Sequence, residues 1–183
     1  KNKWLKHITL WFCISLLWGC GGPDDLPRLY DYIRATPAEL VIELDTVAEL
    51  APTSTARSRL ADALQEVLDK PSGVRIDAHS FLDSMGNDYV WTDAALRSLA
   101  ESNFDLEVGP EAIKMRTLFV DGSYVGDTSS QKRLSLRISD TQIVIFAQTI
   151  DQACNGGVNQ ALPKSDRQAL CDVSTLAAWL HGS

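Results

Sequence analysis

The stretch Lys114–Ile150, KMRTLFVDGSYVGDTSSQKRLSLRISDTQIVIFAQTI, constrains the fold more than any other part of the chain. Three apolar, β-rich runs lie close together in it: Met115–Val120, Leu134–Ile138 and Gln142–Phe146. Asp121-Gly122 and Gly126-Asp127 supply turns after the first run, and Ser139-Asp140 separates the other two. Short runs bounded by turn residues predict neighbouring strands. Val144, Ile145 and Phe146 are continuously apolar, as in a strand covered on both faces. The middle of a sheet is predicted here.

The upstream sequence supplies the partners. Leu40–Val47 reads as a first strand, with Leu40, Ile42 and Leu44 on one face and Val41, Glu43 and Asp45 on the other. Two carboxylates on one strand face are a candidate acid/base pair. The simpler reading of Glu43 and Asp45 is a solvated face or a sheet edge. Pro52-Thr53-Ser54 opens a helix running to Asp69, with Ala56, Leu60, Ala63, Leu64, Val67 and Leu68 on one side. Pro71 stops it, and Gly73–Asp77 is a second strand. Strand, helix, strand at this spacing predicts a right-handed parallel crossover.

His79 follows in a predicted loop, where a lone imidazole is more often solvated or structural than a metal ligand. Thr92-Asp93 caps a second helix to Asn103, with Ala95, Leu96, Leu99 and Ala100 as its stripe and Trp91 as a staple. Asp151–Pro163 lacks periodicity and is predicted to be a loop clamped at Cys154. Ser165–Gln168 has the capping-box pattern and opens a last helix. Its predicted buried stripe is Ala169, Val173, Leu176, Ala177 and Leu180, and it reaches His181.

Residues 1–19 are set apart from this fold. Lys1, Lys3 and Lys6 precede an apolar core, Ile8–Trp18, of 11 residues. A membrane-spanning helix needs about 20, so the segment reads as a secretory signal peptide. Leu17-Trp18-Gly19-Cys20 resembles a bacterial lipobox, with Trp18 where a small residue is usual. The resemblance implies cleavage before Cys20 and acylation of its thiol and new amine. Several acyl chains would hold a domain firmly where one holds it marginally. Residues 20–38 then form a tether, beginning Gly21-Gly22-Pro23-Asp24-Asp25, and 39–183 a single domain. The expected location is the bacterial cell envelope: the outer membrane, facing the periplasm or the surface.

Without the leader lysines the chain has 14 basic against 24 acidic residues. That sign repels phosphate backbones and argues against nucleic-acid binding. The remaining cysteines, Cys154 and Cys171, are an even pair in an oxidising compartment, which favours a disulfide. A thiolate metal site is the weaker alternative, because two cysteines do not make a four-ligand cage.

The element order and local wording resemble the N-terminal subdomain of secreted bacterial metzincin-type zinc metallopeptidases. ELVIELDTV followed by APTSTARSRLADALQEVLDKPSGVRID is similar to their opening. MRTLFVDGSYVGD and IVIFAQTID are similar to their third and fifth strand regions. The similarity covers Glu39–Asp151, more loosely the last helix. It implies an α+β fold: a mixed, mainly parallel sheet with two helices packed on one side and a C-terminal helix. In that family the helix after the strands carries HExxH, whose two histidines bind zinc while the Glu activates water. Only His181 falls where a first ligand would stand, and Gly182 replaces the Glu.

His181 also has a plain structural reading, since histidine in a last helical turn is favoured by the dipole and Gly commonly follows the end. No complete catalytic set is present, and zinc is expected only in a longer form of the protein. None is expected to be held tightly by these residues. Three readings follow. The first is a lipid-anchored metallopeptidase relative, truncated or catalytically inactive. The second is a non-enzymatic envelope lipoprotein with a binding or structural role and an unknown protein or peptide partner. The last is hydrolysis by Glu43 and Asp45.

Overall fold

The computed structural model describes residues 34–182. The segment read as a signal peptide, Cys20 and the expected tether as far as residue 33 lie outside the described residues. The last tether residues, 34–38, are fastened to the domain. The Lys70 ammonium, 1% exposed, donates to the carbonyls of Arg34 (2.8 Å) and Pro37 (2.9 Å).

The described residues form seven strands: β1 (Glu39–Val47), β2 (Gly73–Leu82), β3 (Val90–Trp91), β4 (Ala112–Val120), β5 (Ser123–Tyr124), β6 (Ser135–Ser139) and β7 (Gln142–Phe146). The α-helices of the described residues are α1 (Ser54–Val67), α2 (Asp93–Asn103), α3 (Ala147–Asn155) and α4 (Lys164–Gly182). The main sheet has the order β2-β1-β4-β7-β6. Its first four strands are parallel, and β6 pairs antiparallel with β7 as an edge. β3 and β5 form a separate two-stranded parallel ribbon. The fold is therefore α+β with a mixed, mainly parallel sheet, and the three runs of Lys114–Ile150 are neighbours in it.

Both faces of the sheet are covered. On one, Leu40, Ile42, Leu44, Ile113, Phe119, Ile143 and Ile145 pack against Leu60 of α1, Ile150 and Cys154 of α3, and Ala178 and Trp179 of α4. On the other, Val47, Leu118, Val120, Val144 and Phe146 meet Leu96 and Ala100 of α2, with Trp91. The expectation that α1 and α2 pack on one side is therefore corrected. Val144, Ile145 and Phe146 present apolar groups alternately to both faces, and each face needs its own helix layer.

Caps place these helices. The Thr53 hydroxyl accepts from the Ala56 N–H (3.0 Å), and Thr92 accepts from Ala95 (3.2 Å). Gly122, φ 73°, follows Asp121 in the turn after β4; a Cβ there would stand 2.4 Å from the Tyr89 carbonyl oxygen.

Three further expectations are corrected. Asp151–Pro163 is not a loop: α3 runs to Asn155 and a 3-10 turn spans Gly157–Ala161. Ala147, Ile150 and Cys154 form a buried helical stripe that polar neighbours disguise. In α4 only Leu176 of the predicted stripe packs on the core; Ala169, Ala177, Val173 (54%) and Leu180 (42%) are exposed, while Thr175, Ala178 and Trp179 are buried. Trp179 fixes that rotation: its Nε1 donates to Thr117 Oγ1 (2.7 Å), and its ring meets Phe119 edge-on with centroids 5.1 Å apart. The capping box does not form. Ser165 Oγ donates to Asp166 Oδ1, and the Asp166 and Arg167 N–H groups turn back to the Pro163 carbonyl.

Candidate functional site

The face covered by α2 is divided along the strands. Towards their C-terminal ends it is apolar, and towards the start β1 and β4 place four charges on it. The parallel register sets Val41 beside Lys114, Glu43 beside Arg116 and Asp45 beside Leu118. Glu43, Asp45 and Arg116 are fully buried, so the expected solvated or edge position of the two carboxylates is corrected. β1 is an interior strand, and the C-terminal end of α2 with the chain after it covers this region.

Asp45 and Arg116 form one unit. Arg116 donates to Asp45 Oδ2 from Nε (2.9 Å) and Nη2 (2.5 Å), and Nη1 donates to the Ala100 carbonyl in the last turn of α2. Asp45 Oδ1 accepts from the Ser80 N–H (3.1 Å) and hydroxyl (2.7 Å). Each charge is paired, and a cation stands at the negative end of a helix, as burial requires. This is a structural lock: Asp45 is held by Arg116 and Ser80, and Glu43 has other hydrogen-bond partners.

Glu43 does something different. Its Oε1 accepts from the backbone N–H groups of Asp105 (3.2 Å) and Leu106 (3.0 Å). Its Oε2 is buried and has no hydrogen bond, though the Lys114 ammonium stands 3.5 Å away. Lys114 lies over the Phe104 ring at 3.9 Å and donates to the Leu106 carbonyl.

His79 joins this region because the sequence-based boundary of β2 was too short. The strand continues to Leu82, so His79 is not in a loop. Leu44 pairs with Ala78 and Asp45 with Ser80, which leaves His79 as the extra residue of a β-bulge. Its Nε2 is 3.0 Å from Asp105 Oδ1. Donor atoms of Glu43, His79 and Asp105 all lie within 4.8 Å of one another. Asp77, opposite Glu43 in register, is instead held by Arg75 Nη1 at 2.5 Å. The hydrogen bond to Glu39, with help from Asp77, raises the Arg75 pKa above its ordinary value.

Among the described residues one other group gathers three such donors: Asp151, Cys154 and Cys171. Its cysteines form a disulfide, with Cα atoms 5.3 Å apart, and are not free thiolates. Beside it a hollow of about 190 Å³ lies between α3, α4 and the chain after β1, with Glu49, Asp151 and Asp172 on its wall. His181 is exposed at the end of α4 and belongs to neither group. The structure thus brings Glu43 and His79 together and leaves His181 apart from both.

Asp105 and Arg116 were missed by sequence reasoning. An arginine inside the apolar run of β4 signals a buried carboxylate on a neighbouring strand, and Asp45 lies at a matching position. Asp105 has no comparable signal. No family model, curated protein or solved structure matches this chain.

Proposed function

We propose that this chain is a lipid-anchored protein of the bacterial cell envelope, built on the scaffold of a zinc metallopeptidase, which does not hydrolyse peptide bonds with the ligands present in these residues. One observation carries the scaffold reading. The stretches similar to the family's third and fifth strand regions fall in β4 and β7, which are the third and fifth strands of the main sheet in chain order and pair in parallel. The last helix docks on β4 through Trp179, two residues before His181.

His181 alone is one imidazole. A catalytic zinc takes three protein ligands and a water, with a base to activate that water. Gly182 offers no base. The zinc chemistry of the family would need ligands beyond those that these residues supply. The anchoring half of the proposal rests on the lipobox-like Leu17–Cys20.

The test is the coding DNA on the 3′ side of the Ser183 codon. A continuing frame with histidines at ligand spacing from His181 supports the scaffold reading, and an unrelated frame counts against it. The exposed position of His181, outside both three-donor groups, favours a second reading, a non-enzymatic envelope lipoprotein that binds a protein or peptide partner.

A further inference from the structure

We propose that Glu43, His79 and Asp105 form a binding site for a divalent transition-metal ion of the zinc type, separate from His181. The three donors come from β1, the bulge in β2 and the segment after α2, and they converge within 4.8 Å. The His79 Nε2 to Asp105 Oδ1 separation is 3.0 Å. Two donors each about 2.1 Å from one tetrahedral zinc span about 3.4 Å, so the observed edge has to open by only a few tenths of an ångström to seat the ion.

The second observation is Glu43. It is fully buried, one oxygen is fixed by two backbone N–H groups, and the other has no hydrogen bond. Buried carboxylate oxygens normally have a donor, and one without calls for an explanation. The Lys114 ammonium forms an ion pair with that oxygen at 3.5 Å, which leaves the oxygen's hydrogen-bond position open. A metal ion is the partner that such an oxygen accepts without a proton. The bulge supplies the third element, because an extra residue in β2 re-aims the His79 side chain.

The chemistry of the set limits the ion. One imidazole and two carboxylates suit zinc, manganese or ferrous iron; calcium and magnesium prefer oxygen alone. The His79 and Asp105 side chains are 32% and 71% exposed, which gives an ion a path in and leaves coordination positions to water. The Lys114 ammonium opposes a second cation, so binding is expected to be moderate. The site does not depend on the metallopeptidase reading, which concerns His181. It also departs from the expectation that these residues hold no metal tightly, because its three donors are far apart in the sequence.

The test is calorimetric titration of the chelator-stripped full chain with zinc chloride, repeated with cobalt(II) to read the ligand field. One equivalent is expected, with His79→Ala and Asp105→Asn each weakening it at least about tenfold and His181→Ala leaving it unchanged. Both substituted side chains reach solvent, so far-ultraviolet circular dichroism should confirm native folding of each variant. No binding by the parent chain, or binding that survives both substitutions, would overturn the proposal. So would binding lost with His181→Ala alone, which would place the ion at the end of α4 and favour the metallopeptidase reading.

Discussion

Arg116 shows how much one buried charge organises. Its guanidinium serves the Asp45 carboxylate on β1 and the Ala100 carbonyl at the end of α2, so a strand pair and a helix end depend on one side chain. Arg116→Ala leaves Asp45 buried and without its cation. A loss of about 3–5 kcal/mol is expected, read as a lower urea midpoint. Adding Asp45→Asn should return part of that loss, and a double variant no better than the single would show that the pairing is not the cause. A second residue gives a pH signature. Tyr124 donates its hydroxyl to Asp93 Oδ1 at 2.8 Å, and this hydrogen bond, then burial, raises its pKa above 10.0. The contact's contribution is fully present below the unfolded value near 10 and is lost as pH rises through the higher folded value. The difference between the ultraviolet titrations of the parent and Tyr124→Phe should therefore show a tyrosine ionising above pH 10, and Asp93→Asn should lower it. A Tyr124 midpoint at or below 10 would contradict the assignment.

Helices and strands were legible to different degrees. The strands of Lys114–Ile150 announce themselves by short apolar runs between turn residues, and Thr53 and Thr92 mark their helices because capping is local chemistry. The rotation of α4 was not legible. Ala169, Val173, Leu176, Ala177 and Leu180 satisfy helical spacing as well as Cys171, Thr175, Ala178 and Trp179 do, and only contacts with β4 and α3 choose between them. The site was half legible. Glu43 and His79 stood out as residues, but a one-residue bulge and the end of α2 brought them to Asp105, and neither is visible in spacing. At the same scale, the Cys154–Cys171 disulfide ties α3 to α4 across 17 residues. A closed loop of that length contributes about 3 kcal/mol by constraining the unfolded chain. The Cys154→Ser, Cys171→Ser double variant should lower unfolding stability by about that amount. An unchanged urea midpoint would mean that docking by Trp179 holds α4 alone.

At the scale of the whole molecule, an acidic domain without the leader lysines is joined to a sequence that resembles a lipoprotein signal. No described helix is long and apolar enough to cross a membrane, and the anchoring proposed here is by acyl chains on Cys20. Expressed in a bacterial envelope, the protein should sediment with membranes and carry acyl mass on an N-terminal Cys20. Cys20→Ser should lack both; membrane retention without Cys20 would point to another attachment. The domain itself is α+β with a mixed, mainly parallel sheet, and α2 lies on the opposite face from α1. Its one candidate family ligand, His181, is exposed and belongs to neither three-donor group of the described residues, and the scaffold is proposed to persist without the reaction. The most direct measurement is casein hydrolysis by the purified 183-residue chain in the presence of zinc, with and without a chelator. No chelator-sensitive cleavage is predicted; turnover that a chelator abolishes and zinc restores would contradict it.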